Sequence, residues 1–482
     1  MTEMSSNVLV LLSDEHCADL MGVAGHPLAR TPHLDALAAR GTRFTNAYTP
    51  SPICVPARAS LATGLYVHQH RCWDNAIAYE GRDRSWGHRL QDAGIRVESI
   101  GKLHYVDAAK DTGFDAQHVP MHIHGGIGQV WGSVRDPLPD QAPAGGMFAN
   151  LGAGETDYNR FDRDVATLAV QWLEDHAQAA TPWVLFVGFV APHFPLIVPS
   201  AYLDQFPVDT MPLPRLHPQN GYRRHPWADI QARYGGHDEE IGTDTRRRLA
   251  LASYLGLTRF MDEQVGRVLT TLQRLQLDRS TTVVYASDHG DNLGVRGMWN
   301  KSTLYREATA IPVIVSGPGV PQNQTRSTNV SLIDLYPTIL QAAGVAGDEM
   351  QGSLPRGSLR DLANQPDDAA RLAFSEYHAV GSAGAAFMLA DGRYKFHHYE
   401  GFEPELFDLA TDRGETDNLA AKPEHRDTVA RFEQRLRDLI DPTAVDRRAK
   451  ADQAALVARF GGREQALKTG TRGATPVPTT AA

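Results

Sequence analysis

Short aliphatic and β-branched runs, each closed by a polar residue, alternate along most of the chain with stretches whose apolar positions recur every third or fourth residue. NVLVLLSD from 7, IRVESIG from 95, WVLFVGFV from 183, TTVVYASD from 281 and IPVIVSG from 311 are the short runs. Near-continuous apolarity is what a strand covered on both faces requires. TPHLDALAARG from 31, TLAVQWLEDHAQ from 167, RLALASYLGLTRFMDEQVGRVLTTLQRLQ from 248 and SLIDLYPTILQAAG from 331 carry the helical period. In the first of these, Thr31 is a candidate N-cap, Pro32 suits the first helical position and Gly41 the end. The alternation predicts an α/β fold, a large mostly parallel sheet sandwiched by helices.

Two stretches, 106–160 and 197–240, are rich in Pro, Gly, His and Asp without a period, and read as long loops over a sheet edge. From about 371 the pattern changes. RLAFSEYH, AAFMLADGRYKFHHY and PELFDLATD read as strands of a small antiparallel sheet, with RDTVARFEQRLRDLI as its covering helix. The expected organisation is a catalytic domain over 1–370, a smaller C-terminal α+β subdomain over 371–441, and a tail over 442–482. That tail holds one helix, AKADQAALVARF, and then a Gly, Thr, Ala and Pro segment expected to be flexible or to bridge to a neighbouring subunit of a homo-oligomer.

Composition narrows the function classes. With 482 residues and a net charge of −10, the chain can bury a large core and carries no basic footprint for nucleic acid. The N-terminal MTEMSSNVLVLLSDEH lacks a basic n-region, and WVLFVGFVA is far too short for a bilayer crossing, so neither a targeting segment nor a membrane partner is expected. Cys17, Cys54 and Cys72 are the three cysteines, too few for a disulfide framework. A cytoplasmic location follows as the expectation.

In open α/β sheets, ligands bind beyond the carboxyl ends of the strands. Those ends carry Asp14 and Glu15, Lys102 and His104, His193, and Asp288 with His289. Winding the strands in parallel brings these groups to one edge. Carboxylates with one imidazole suit a hard divalent ion such as Ca²⁺, Mg²⁺ or Mn²⁺. Arg58, Lys102 and Lys301 are candidate clamps for an anion, which points to transfer of a sulfuryl or phosphoryl group. Pro56 fits a first helical turn, placing Cys54 at the positive end of a helix with Arg58 four residues on.

Cys54-Val55-Pro56-Ala57-Arg58, followed by Ala59-Ser60-Leu61-Ala62-Thr63-Gly64, resembles the C-x-P-x-R-x4-T-G signature of the type I sulfatases, members of the alkaline phosphatase superfamily. Asp14, Lys102-Leu103-His104, His193, Asp288-His289-Gly290 and Lys301 follow in the order of that family, and PELFDLATDRGETDNLA is similar to the segment closing its small C-terminal sheet. The resemblance covers roughly 7–420 and is nearest the cytoplasmic bacterial branch of choline sulfatases and phosphonate monoester hydrolases. It implies that a formylglycine-generating enzyme oxidises Cys54 to Cα-formylglycine, whose hydrate is the nucleophile. It implies Asp14, Asp288, His289 and the modified Cys54 as metal ligands, with Glu15 an unusual residue at its position. Arg58, Lys102 and His104 are implied around the formylglycine hydrate, and His193 and Lys301 at the sulfate and leaving oxygen. Asn75, in WDNA, matches a sulfate-contacting asparagine of choline sulfatases.

The expected activity is hydrolysis of an alkyl or aryl sulfate. Hydrolysis of a phosphonate monoester or phosphodiester by the same nucleophile is the nearest alternative, and an inactive anion-binding relative the distant one. A choline ester would need aromatic faces for its ammonium, for which Trp73, Tyr105, Trp131 and Trp299 are available. The choline-sulfatase likeness ends near residue 441.

Overall fold

The computed structural model describes residues 6–143, 145–346 and 356–478. The first five residues, part of the stretch read for a targeting segment, and the last four of the tail lie outside the described residues. Five parallel strands, Thr281–Ser287, Asn7–Asp14, Trp183–Pro192, Arg96–Lys102 and Ala116–Met121, lie side by side in that order. Val313–Ser316 extends the sheet antiparallel to Thr281–Ser287 and to Gly41–Phe44, and Gln324–Arg326 forms the edge. The sheet is thus large and mostly parallel, as the pattern predicts.

The continuous apolarity of these strands reflects two cores. Along Asn7–Asp14, Leu9 and Leu11 enter one core with the helices Pro32–Ala39, Asp157–Asp175 and Asp244–Arg274. Val8, Val10 and Leu12 enter the other with Cys54–Thr63, Trp86–Asp92 and Leu335–Ala342. Adjacent side chains of a strand face opposite ways, so both sets must be apolar when helices cover both faces. Each such buried aliphatic contributes roughly 1.5–3 kcal/mol.

Some boundaries differ from the sequence reading for identifiable reasons. Asp157–Asp175 begins well before its apolar period, because Thr156 and Asn159 form a reciprocal capping box. Gly41 does not cap the first helix, which ends at Ala39; it opens a strand, where a Cβ would lie 2.1 Å from the Val315 carbonyl oxygen. The stretches read as loops contain the strand Ala116–Met121 and the helix Pro226–Gly235.

The small C-terminal sheet is antiparallel, in the order Ala373–Tyr377, Ala386–Ala390, Tyr394–Tyr399 and Glu405–Asp408. One face packs through Phe387 and Phe396 on the helix Arg426–Leu439, with Phe432 stacked on Phe396 at 5.8 Å. Its other face holds Met298, Leu304 and Tyr305, and so seats the loop that carries Lys301.

The tail helix read from AKADQAALVARF spans Pro442–Arg459, beginning at Pro442 because the Asp441 carboxylate caps it by accepting from the Ala444 amide at 3.0 Å. Its Gln453 amide donates to Asp74 and to the His378 carbonyl. Beyond the short helix Arg463–Ala466 the chain runs back across its own catalytic domain, and Ala474 and Val477 pack against the main core. Buried Arg135 ties these parts together, donating to the His378 and Ser382 carbonyls at 2.7 and 2.9 Å and pairing with Asp446 at 3.4 Å. Removing one partner of a buried pair strands the other. Arg135→Ala is expected to lower stability by about 3 kcal/mol, read as a shift of the urea unfolding midpoint.

Candidate active site

The carboxyl ends of the central strands converge beneath the N-terminus of the helix Cys54–Thr63. Asp14 ends its strand, Lys102 ends the next but one, His193 follows Pro192, and Asp288 follows Ser287. Four residues here, Glu15, His104, Asn300 and Ser302, have left-handed φ values of 70°, 62°, 67° and 77° although none is glycine. Such conformations persist only where surrounding contacts hold them, and they gather at functional sites.

Arg58 organises the cluster. Its Nε donates to Asp288 Oδ2 at 2.7 Å, one Nη donates to Asp14 Oδ2 at 3.0 Å and the other to the Lys102 carbonyl at 2.9 Å. Lys102 Nζ lies 2.6 Å from the same Asp14 oxygen. Burial works against ionisation of Asp14, but Lys102, His193, Arg58 and Lys301 outweigh it and hold the carboxyl well below the usual range.

Cys54 is the first residue of its helix, which ends at Gly64 in the left-handed conformation. Its Sγ is 3.2 Å from His289 Nε2 and 3.7 Å from Asp14 Oδ1. Donor atoms of Asp14, Cys54, Asp288 and His289 all lie within 4.8 Å of one another, and all four residues are buried. His289 Nδ1 sits 3.0 Å from the Gly290 carbonyl, which can only accept, so the neutral ring presents the Nε2 lone pair to the cluster. This donor set fits a hard divalent cation. Burial first, and Asp14 second, push the Cys54 thiol up to about 11, so the unmodified side chain is a neutral thiol at neutral pH.

Glu15 stands apart from that set. Its Oε2 accepts from Lys301 Nζ at 3.0 Å and lies 3.5 Å from His193 Nε2, while Oε1 has no hydrogen-bond partner. Burial pushes the Glu15 carboxyl up and Lys301 opposes that push. Burial works against the charge on Lys301, yet Cys54, Glu15 and Asp14 raise its pKa above the ordinary lysine value. His193 donates Nδ1–H to the Phe194 carbonyl at 2.6 Å, and burial with Lys301 holds the ring well below the usual histidine range. Burial, Lys102 and Arg58 do the same for His104.

Cys54, Asn75, Lys102, His104, His193 and Lys301 open onto one cavity. Asn75 Oδ1 accepts from the Val55 amide at 3.2 Å, and its Nδ2 faces Gln129 Oε1 at 3.4 Å. Phe194, Trp131, Trp299, Met147 and Tyr234 supply apolar wall. Of the four aromatics set aside for an ammonium cage, Trp131 and Trp299 line this cavity. Trp73 instead donates Nε1–H to Asp452 at 2.7 Å, and Tyr105 packs edge-on against Tyr79. Asp238 is the acidic residue among the described residues lining the cavity, and both its oxygens are engaged by Arg247, His217 and Trp299. The sequence reading missed Gln129, Tyr234 and the tail residues Gly473, Ala474 and Thr475, which also line it. None of these lies at a strand end or in a motif, so no local signal marks them.

Comparison with known proteins agrees with this geometry. A family model described as Sulfatase matches residues 6–345, and one described as N-sulphoglucosamine sulphohydrolase, C-terminal, matches 294–442. The chain is 30% identical over 448 residues to a choline-sulfatase of Rhizobium meliloti (strain 1021), covering 88% of this chain and 84% of that one. It is 28% identical over 466 residues to arylsulfatase K of Bos taurus, covering 90% and 82%. Among solved structures, a phosphonate monoester hydrolase from Silicibacter pomeroyi superposes with a TM-score of 0.71 at 26% identity, covering 89% of this chain and 94% of that one. With the signature helix, the buried charge cluster and these matches along most of its length, the chain belongs to the sulfatase family.

Proposed function

We propose that the protein hydrolyses sulfate monoesters of uncharged alkyl or aryl alcohols, giving inorganic sulfate and the alcohol, through a Cα-formylglycine made from Cys54 by a separate formylglycine-generating enzyme. The placement of Cys54 carries this reading. It sits among Asp14, Asp288 and His289, and opens onto a cavity bordered by Lys102, His104, His193 and Lys301. A thiol with a pKa pushed up to about 11 is a poor nucleophile at neutral pH. A hydrated aldehyde at the same position offers two hydroxyls, one to attack sulfur and one whose deprotonation later expels sulfate and restores the aldehyde.

Asp14, Asp288, His289 and residue 54 would hold a divalent cation, with Ca²⁺ the best match to two carboxylates and one imidazole, and Mg²⁺ or Mn²⁺ the alternatives. Such an ion lowers the pKa of a neighbouring hydroxyl and offsets charge on a sulfate oxygen. Arg58 fixes both carboxylates and so the N-terminus of its own helix. Lys301 donates to the sulfate oxygens and passes a proton to the departing ester oxygen, and His193, whose Nδ1–H is held by the Phe194 carbonyl, joins it at the sulfate through Nε2 once the anion brings a proton onto that nitrogen. Asn75 adds an amide toward the sulfate. His104 takes a proton from the second hydroxyl of residue 54, and inorganic sulfate leaves as the aldehyde re-forms.

The cavity wall supports an uncharged leaving group. Trp131, Trp299, Phe194, Met147 and Tyr234 supply apolar surface there, and the carboxylate of Asp238, the acidic residue among the described lining residues, is fully engaged and so not free for a quaternary ammonium. A phosphonate monoester or phosphodiester is the second reading, favoured by the structural likeness to a phosphonate monoester hydrolase at 26% identity. Cys17 and Cys72, buried and unpaired, are in keeping with a cytoplasmic location.

Protein coexpressed with a formylglycine-generating enzyme is expected to show, by peptide mass spectrometry, an aldehyde at residue 54 that traps hydrazides. Cys54→Ala is expected to lower kcat on 4-nitrophenyl sulfate by about 10⁶-fold, the scale on which a covalent nucleophile acts, with an unchanged circular dichroism spectrum. Near-normal turnover by that variant rules the nucleophile out. Chelation is expected to abolish turnover and added Ca²⁺ to restore it, while Asp288→Asn is expected to lose the ion as measured by elemental analysis. A higher kcat/KM on a nitrophenyl phenylphosphonate than on 4-nitrophenyl sulfate would replace the first reading with the second.

A further inference from the structure

The C-terminal strap reaches the candidate active site from its own chain, and it does so through a built set of contacts. The Thr469 carbonyl accepts from the Trp131 amide at 3.4 Å, the Thr471 carbonyl from Trp131 Nε1 at 2.7 Å, and the Gly473 carbonyl from Gln129 Nε2 at 3.2 Å. Gly470, at a φ of 98°, passes so close to the Gly128 carbonyl that a Cβ would lie 2.2 Å from it. Two residues past Gly473, the Tyr158 hydroxyl donates to the Thr475 carbonyl, and Thr475 Oγ1 lies 2.9 Å from His104 Nε2. Both Thr475 and His104 are buried, and His104 Nδ1 has no hydrogen-bond partner.

These contacts decide which nitrogen of His104 is free. A neutral imidazole has one N–H and one lone pair, and the partner of one nitrogen sets the state of the other. When Nε2–H donates to the Thr475 hydroxyl, Nδ1 is left as an unengaged base on a residue lining the same cavity as Cys54. We propose that Thr475, delivered by the C-terminal strap, is a positioning residue for His104, holding it as the Nε2–H tautomer so that Nδ1 receives the proton in the sulfate-releasing step. This rests on the formylglycine reading. In that step the second hydroxyl of residue 54 gives its proton to Nδ1, the oxygen electron pair forms the C=O bond, and the C–O bond to sulfate breaks with its pair leaving on sulfate. The imidazolium then returns its proton to water. The step uses no oxidant or further reactant.

The test compares Thr475→Val, which keeps the shape and removes the hydroxyl, with Thr475→Ser, which keeps the hydroxyl. On matured enzyme with 4-nitrophenyl sulfate, Thr475→Val is expected to release one nitrophenol per site at the wild-type rate and then turn over about 10-fold to 100-fold more slowly, a part of the 10²–10⁴ that acid–base catalysis supplies. Its residue-54 peptide is expected to retain a sulfuryl group in intact mass spectra, and Thr475→Ser to behave as wild type. Wild-type kcat in Thr475→Val, an equal loss in first and later turnovers, or failure of Thr475→Ser to rescue would each overturn the proposal. A readout independent of turnover uses the unmatured Cys54 protein. Long-range ¹⁵N–¹H spectra, with the His104 signals assigned through His104→Gln, are expected to show Nε2–H in the wild type and Thr475→Ser, and a changed tautomer balance in Thr475→Val. Nδ1–H in the wild type overturns the proposal whether or not the enzyme turns over sulfate esters, whereas a silent wild type with Nε2–H at His104 would fault only the assigned reaction.

Discussion

Everything at the strand ends depends on the buried guanidinium of Arg58. Two ionised carboxylates cannot sit side by side in a dry sheet edge unless cations are held against them, because desolvation alone costs several kcal/mol per ion. Arg58 meets Asp14 and Asp288 with separate nitrogens and gives a third hydrogen bond to the Lys102 carbonyl, so one planar group links three strands. It stands one turn from Cys54 on the same helix. Pairing the carboxylates therefore also fixes where residue 54 lies, and the signature spacing between cysteine and arginine becomes a geometric requirement.

This coupling explains which parts of the molecule were legible in the sequence. Strand ends and a helix N-terminus are local features, and Asp14, Lys102, His193 and Asp288 each follow an apolar run that identifies them. The small antiparallel sheet was legible for the same reason, since its alternation survives in Phe387, Leu389 and Phe396. Tail residues were not. Gly473 and Thr475 sit in a polar, small-residue segment whose composition resembles a flexible linker, and their order comes from contacts with Trp131, Gln129, Tyr158 and His104, residues more than three hundred positions away. Long-range polar contacts leave no period. The role of Gly41 was misread for a similar reason: the chain approach that requires it comes from Val315.

The tail also changes what the active-site cavity is. Without it the cavity would be bounded by the sheet edge and the loops around Trp131 and Trp299. With it, Gly473 to Thr475 form a wall made of backbone and small side chains, bringing no charge of their own. The cationic side chains Lys102 and Lys301 act on Cys54, while Trp131, Trp299 and Tyr234 give the cavity aromatic wall and its Asp238 carboxylate is engaged by Arg247. Such a division separates the sulfate end of a substrate from its alcohol, and orients a small ester before any chemistry occurs.

Charge balance then favours one class of ester over another. Asp14 and Asp288 are matched by Arg58 and Lys102, so these four groups sum to zero. A divalent cation in the Asp14, Asp288 and His289 cluster raises the sum to two positive charges. Under the proposed formylglycine reading, an ionised hydroxyl on residue 54 together with a monoanionic ester would cancel that excess. A phosphate monoester, a dianion at neutral pH, would bring one negative charge more than this sum balances. Sulfate monoesters, phosphonate monoesters and phosphodiesters all carry a single charge. Each of the two proposed substrate classes therefore brings the single negative charge that balances the site, while the Lys301 ammonium is already engaged by Glu15 Oε2 at 3.0 Å.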